Sequence, residues 1–572
     1  MRRRRSLSLL LALCAGSGFA ALQACGSTDD GSTFKPDSGT GGGGDDGSST
    51  YDSGGGLGGG DGSTGPHADF PAAPIIDGPD GGGAGTAPTN AATLFSGATA
   101  ADGGADAPCL VQSEVGSLLP KNWLRPRFGW QAGGGENLFE LRVHADNQVN
   151  DLVVYTTSTE WTMPSTMWTA LAQDSAGVPM TVSVRGAVFA GGAITALTQG
   201  SSGPFGIAPV DAPGAIVYWQ ITGGNQGDLL GFNIGDETVQ NTMLASTVKQ
   251  YSTNCVGCHT STPDGDYAVF SSNSASNTWD DGIGSVKADS GIGSTPTFLT
   301  NDGKAALQGS LQGIMATSIA HWAAGDYMVL AASNDNKSIQ WAQLDGPTPA
   351  AATGTVPVTG GDPNSNRTSP TWSHDGKSIA YTSAPGSSSG RPSGSGNDIY
   401  VMPYNNRLGG VAKPLTGANT AANEYYPSYS PDDQLITFNR TADGDTYSVA
   451  GAEVYVTKAD GSGTAQRLAA NDPPACSNRV SPGVTNSWPR WAPAKPAPQT
   501  VGGNTYYWVV FSSKRLDGST PQLYMAPVVV DATGKITQYK ATYLWNQPAA
   551  EHNHTPAWDV FAIPPAPPSG PR

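Results

Sequence analysis

A short motif that returns along the second half of the chain constrains its fold more than any other feature. Pro370-Thr-Trp372-Ser-His-Asp-Gly376-Lys-Ser-Ile-Ala-Tyr381 is echoed by Pro427-Ser-Tyr429-Ser-Pro-Asp-Asp433-Gln-Leu-Ile-Thr-Phe438. Weaker copies are Pro489-Arg-Trp491 with the later run Trp508–Ser513, and Pro556-Ala-Trp558. Upstream, Thr262-Pro-Asp-Gly265 precedes Ala268-Val-Phe270, and Gly325 precedes Met328-Val-Leu330. Aligned on the proline of the full copies, the starts fall near 259, 319, 370, 427, 489 and 556. Each copy offers a polar turn and a few short apolar runs, too little to bury its own faces. Units of that kind become stable only by packing against one another in an array.

The pattern Pro-x-aromatic-Ser-Pro-Asp-Gly-Lys followed by an apolar triplet resembles the TolB-type β-propeller repeat. Asp398–Met402 and Glu453–Val456 match that family's following strand; Pro414-Leu-Thr416 and Arg467-Leu468 match its last. The resemblance covers roughly residues 213–563 and implies an all-β fold with six blades. The last copy ends after one strand, so the ring is expected to close with Gly214–Trp219 and Leu229–Phe232, leaving no open sheet edge.

The N-terminus reads as an address. Arg2 to Arg5 precede a short apolar run, Leu7 to Ala15, which is signal-peptide length and too short to span a bilayer. Leu22-Gln23-Ala24-Cys25-Gly26 resembles the bacterial lipobox, so residues 1–25 read as a lipoprotein signal peptide with its lipobox, which implies that Cys25 becomes the lipidated first residue of the mature protein. The chain is then expected to be exported and lipid-anchored at the envelope, periplasmic or on the cell surface. Residues 26–106 hold 12 Asp against one Lys, no Glu and little to bury, so an acidic tether is expected there. The net charge of −17 excludes a nucleic-acid partner, whose affinity depends on clustered cations.

From 107 to 212, Phe139, Leu141 and Val143, then Val153 and Tyr155, then Val182 and Val184 alternate with polar residues between Gly- and Ser-rich breaks. Trp161 and Trp168 bracket an expected turn. The run loosely resembles a fibronectin type III or immunoglobulin-like sandwich. A Pro-rich tail occupies 564–572.

Cys255-Val-Gly-Cys258-His259 is the one motif that carries chemistry. C-x-x-C-H is the attachment signature of c-type haem: two thiols join the porphyrin and the histidine presents an imidazole to iron. One covalent haem c is expected, with His259 as proximal ligand. The alternatives are a local Cys255–Cys258 disulfide or half of a zinc site; the second C-x-x-C that a zinc site would need is missing from the sequence. The remaining Cys109 and Cys476 are candidates for a disulfide between the first module and a propeller loop, or two unpaired thiols. In the repeat alignment His259 takes the slot of Pro370, which puts the haem at the mouth of the central channel. Equivalent loops of neighbouring blades would then offer Met315, His554 or His552 as the second iron ligand.

Other polar clusters read as structural. His374-Asp375 and Asp432-Asp433 fill the repeat turn, His321 falls inside a blade and His67 in the tether. No catalytic nucleophile–base pair is expected. The leading reading is an anchored, single-haem electron carrier with an envelope redox partner. The alternatives are a non-catalytic scaffold binding an envelope protein, a haem peroxidase, and a propeller hydrolase.

Overall fold

The computed structural model describes residues 66–77, 86–102 and 104–564, apart from short breaks at 223–225, 275–278, 365, 389 and 444–445. The signal sequence, Cys25 and the Pro-rich tail from 565 lie outside the described residues. The fold is all-β, and its larger part is a β-propeller in which successive antiparallel sheets each give one strand to a common central channel. These channel strands are β1 (Thr253–Ser261), β2 (Leu311–Thr317), β3 (Asn366–Trp372), β4 (Asn423–Tyr429), β5 (Ser487–Trp491) and β6 (His552–Asp559).

Strand β1 pairs with Tyr267–Ser274, β2 with Met328–Ser333 and β3 with Ser378–Ala384. Strand β4 pairs with Leu435–Thr441 and β5 with Asn504–Ser513. The C-terminal β6 pairs instead with Ala215–Ile221, which pairs with Gly227–Asn233. The two ends of the propeller are thus stitched into one sheet by backbone hydrogen bonds.

The repeat turns explain their own sequence. The Ser373 hydroxyl donates to Asp375 Oδ1 at 2.7 Å and accepts from the Ser378 N–H at 3.0 Å, while Gly376 takes φ +71°. In the next repeat Ser430 donates to Asp432 at 2.7 Å and accepts from the Leu435 N–H at 2.9 Å. Asp433 there takes φ +60°, which Asp tolerates better than most residues. The second repeat departs from the expected alignment at 319. A short helix, Ile319–Ala323, follows β2 and lengthens the turn, so the channel strand ends at Thr317.

A second regularity is invisible in the motif. Ser369, Tyr426, Trp488 and Thr555, each just before the repeat proline, all have positive φ, between +48° and +55°. Each stands at a register shift of its strand. Left-handed backbone costs a non-glycine residue about 1–2 kcal/mol, so four instances at one level of the channel must be enforced by packing. The equivalent shift in β1 falls between Val256 and His259, on Cys258.

The N-terminal module has two sheets, the smaller formed by Cys109–Gln112, Arg127–Gln131 and Glu160–Thr162, but its strand pairing departs from the immunoglobulin-like one expected. Its main sheet runs Ile75–Ile76, Leu152–Thr156, Leu138–Ala145, Met180–Ala190, Ala193–Ile207, Ala101–Asp102, with Leu118–Leu119 added to the long strand. Three of those pairings are parallel, whereas immunoglobulin-like sheets are antiparallel. Trp168 lies on a helix, Ser165–Asp174, rather than at a turn. The folded part also begins earlier than 107. Phe70 is buried in the module core and Phe95 is buried on helix Ala91–Gly97, so the described residues 66–77 and 86–102 pack on the module although composition assigned them to the tether. One apolar core joins Phe139, Leu141 and Trp168 of the module to Trp508, Leu523 and Trp558 of the propeller. The Cys109–Cys476 disulfide links the same two parts, with Cα atoms 5.5 Å apart.

Candidate functional site

The Cys255–His259 motif lies within β1, not in a loop at the channel mouth. Alternation along a strand, broken by the bulge, distributes its side chains. Cys255 is fully buried, packed with Trp219 and Leu229. A Cβ at Gly227 would come within 2.9 Å of its sulfur, so glycine is required there. Cys255 is engaged in a disulfide that does not involve Cys258, and Cys258 is a free thiol. The Cys258 side chain packs toward Ile314, Tyr426, Tyr447 and Trp488. Burial pushes this thiol up to about 11 despite the nearby Arg391 and Arg490 guanidinium groups, so it is neutral at physiological pH.

His259 turns the other way, to the wall of a cavity of about 120 Å³ along the channel. Its Nδ1 faces Gly257 O at 3.2 Å and its Nε2 faces Val217 O at 3.1 Å. Burial pulls the imidazole down to about 4. A neutral ring carries one N–H, so it satisfies one of these carbonyls and leaves its other nitrogen, a lone pair, against an oxygen. That buried nitrogen has no proper partner in the protein and is chemically suited to a metal.

The proposed second ligands separate. Met315 lies within β2, buried against Leu307 and Trp322, and reaches the same cavity as His259. His554 lies within β6, on the side of Cys258. Its ring centroid is 4.5 Å from that of Trp219, 5.2 Å from Trp488 and 6.4 Å from Tyr447. Its Nδ1 meets Thr555 Oγ1 at 2.8 Å, and burial pulls it down to about 3, so it too is a neutral potential ligand. His552 begins β6 and is half-buried.

The donor set therefore fits a haem in kind: a neutral imidazole with an unsatisfied nitrogen, an adjacent free thiol, and an aromatic, water-poor surround. Cys255 is the exception, since attachment there requires its sulfur to leave its present packing and bond. The 120 Å³ cavity is below the ~300–1,000 Å³ of pockets for drug-sized ligands, so a porphyrin cannot lie within it as it stands.

The sequence did not reveal that three groups, Arg490, His374 and Asp559, meet at the channel cavity. Arg490 occupies the x slot of the Pro-x-aromatic repeat, where the other copies hold Thr371, Ser428 and Ala557. His374 lies on the same wall with Nδ1 2.7 Å from Asp433 Oδ1, a bond between adjacent repeat turns. Asp559 faces the cavity from β6, accepts from the Val560 N–H at 2.8 Å, and is pushed up from the ordinary carboxylate range by burial. The charged residue at a repeat slot was the available signal for Arg490; the His374–Asp433 pairing spans 59 residues and left none. His67 is drawn out of the expected tether, its Nδ1 3.2 Å from Asp174.

No protein-family model matches the chain, and no curated protein matches it. Among solved structures it is similar to TolB from Acinetobacter baumannii, at 13% identity and TM-score 0.36, over 66% of this chain and 79% of that one. It is also similar to a protein designated TolB from Agrobacterium tumefaciens, at 15% identity and TM-score 0.31, over 60% and 98%. The BP39L lectin from Burkholderia pseudomallei aligns at 10% identity and TM-score 0.30, over 64% and 92%. No helix of the described residues is long and apolar enough to cross a membrane.

Proposed function

We propose that this chain is an exported c-type haem protein, a six-bladed TolB-like propeller that carries electrons at the cell envelope. The observation that carries the reading is His259. Its buried, neutral ring has a nitrogen with no proper partner, and it stands directly after the free thiol Cys258 in a C-x-x-C-H sequence. Cys255 and Cys258 would hold the haem covalently and His259 its iron. When bound, the group supplies a one-electron couple. The protein's own part is to keep the ligand neutral, exclude water and surround the site with Trp219, Tyr426, Tyr447 and Trp488.

In this reading His554 is favoured over Met315 and His552 as second ligand, because it shares Trp488 and Tyr447 with Cys258. A lipid on Cys25 would anchor the protein, and an acidic leader ahead of His67 would give it reach toward an envelope redox partner. Nucleic acid is no partner of a chain this acidic. The test is optical: haem-loaded protein, oxidised and reduced, with His554→Ala and Met315→Leu compared. Loss of the low-spin spectrum in His554→Ala alone supports the assignment; loss in Met315→Leu alone moves the ligand to β2. A protein that takes up no haem refutes the reading.

The packing and disulfide engagement of Cys255 favour a second reading, a haem-free propeller that binds an envelope protein. Absence of covalent haem together with specific capture of one envelope component would select it.

A further inference from the structure

The channel cavity is lined by a cation that forms no ion pair among the described residues. Arg407 is held by Asp326, Arg440 by Glu424, and Arg467 by Glu453 and Asp472. Arg515, buried and away from any carboxylate contact, is still held by the Ser513 hydroxyl, two backbone oxygens and the side chain of Asn486. Arg490, by contrast, makes no side-chain hydrogen bond and no ion pair among the described residues, though it lines the cavity. Arg490 is half-buried, and its unpaired guanidinium fork borders the cavity, where an anion satisfies it better than water does.

The surroundings favour a carboxylate from outside. The repeat slot that Arg490 fills is occupied in other strands by Thr371, Ser428 and Ala557, so the arginine extends into space that small residues leave open. Asp559, the carboxyl on the same wall, is anchored by the Val560 N–H; it attracts Arg490 but forms no ion pair with it. His374 faces the cavity with Nδ1 fixed to Asp433, which directs the ring and leaves Nε2 as a second polar contact.

We propose that Arg490 is a carboxylate receptor, binding a small carboxylate group in the channel cavity beside His259. The planar guanidinium fork matches a carboxylate through two parallel hydrogen bonds. A cavity of about 120 Å³ admits a group of acetate size. The carboxylate has two possible sources, a free small organic acid or a propionate of a haem held at Cys258 and His259. The first is independent of the haem reading; the second rests on it.

The experiment titrates the full chain with sodium acetate against sodium chloride at constant ionic strength. Protein made without and with haem attachment is compared. Trp372, Trp491 and Trp558 line the cavity, so intrinsic fluorescence reports binding in wild-type protein without any substitution. A saturable, acetate-specific response is expected in haem-free protein, weakened about tenfold or more in Arg490→Gln and less in Arg490→Lys. If haem attachment abolishes the response, the propionate is the occupant; if the response persists, the ligand is a free acid. No acetate-specific saturable response in haem-free wild-type protein, or one that Arg490→Gln retains in full, overturns the proposal. Because the haem-free arm stands alone, a failure to attach haem refutes the haem reading without touching this one.

Discussion

Glu114 offers the sharpest test of how the N-terminal module sits on the propeller. It is 3% exposed, its Oε1 has no hydrogen-bond partner, and it borders a cleft of about 440 Å³ shared by module residues such as Leu110 and propeller residues Cys476 and Lys540. Burial pushes its carboxyl from 4.5 up to about 8, with Arg515 and Lys540 opposing. A carboxyl raised in the folded state binds its proton more tightly there than when unfolded. The resulting stability is fully present below pH 4.5 and is lost as the pH rises toward 8. At ~1.4 kcal/mol per pH unit the loss is about 5 kcal/mol at most. Glutamine mimics the protonated side chain, so Glu114→Gln should match wild type near pH 4.5 and exceed it increasingly up to pH 8. For a folded part of roughly 500 residues, ~2.1 cal/mol/K per residue gives about 1 °C per kcal/mol, hence a gain near 5 °C at pH 8. Thermal unfolding followed by circular dichroism from pH 4.5 to 9 reads the difference directly. Parallel curves for the two proteins, with no divergence above pH 5, would refute the reasoning.

Two further outcomes follow from the cysteines. The Cys109–Cys476 bond spans 367 residues, and loop-closure entropy of that length amounts to ~6 kcal/mol as an upper figure. The double serine variant should show a markedly lower denaturation midpoint, and a loss under 1 kcal/mol would mean that the shared apolar core alone fixes the module. Cys258, half-buried and held near 11, should react with iodoacetamide at pH 8 much more slowly in the haem-free fold than in denaturant; equally rapid alkylation of native protein would contradict its placement.

The repeat made the propeller part readable because a Ser-x-Asp-Gly turn is local chemistry: hydroxyl, carboxylate and left-handed residue lie within a few positions of one another. Closure of β6 onto Ala215–Ile221 followed from the same alignment, since a lone last strand needs a partner. What could not be read depends on contacts far apart in sequence. The positive-φ residues at Ser369, Tyr426, Trp488 and Thr555 share no residue type. Phe70 is buried only because the module core receives it, a contact that local composition does not reveal. The parallel pairing of Ile75–Ile76 with Leu152–Thr156 leaves no periodicity in a two-residue strand. At the site, the motif and its histidine were legible, but the opposite directions taken by Cys255 and Cys258 arise from a bulge that spacing alone does not reveal. Placing Met315 and His554 in loops failed for the same reason, because the channel strands extend through the positions assigned to their mouths.

The central claim is covalent haem at Cys255 and Cys258, and the most direct measurement is the mass of the denatured polypeptide after expression with a working haem c maturation system. The account predicts one haem equivalent added to the chain, reduced sharply in Cys258→Ser and retained in Met315→Leu. An unmodified mass, obtained while a control cytochrome in the same cells is fully loaded, would contradict it.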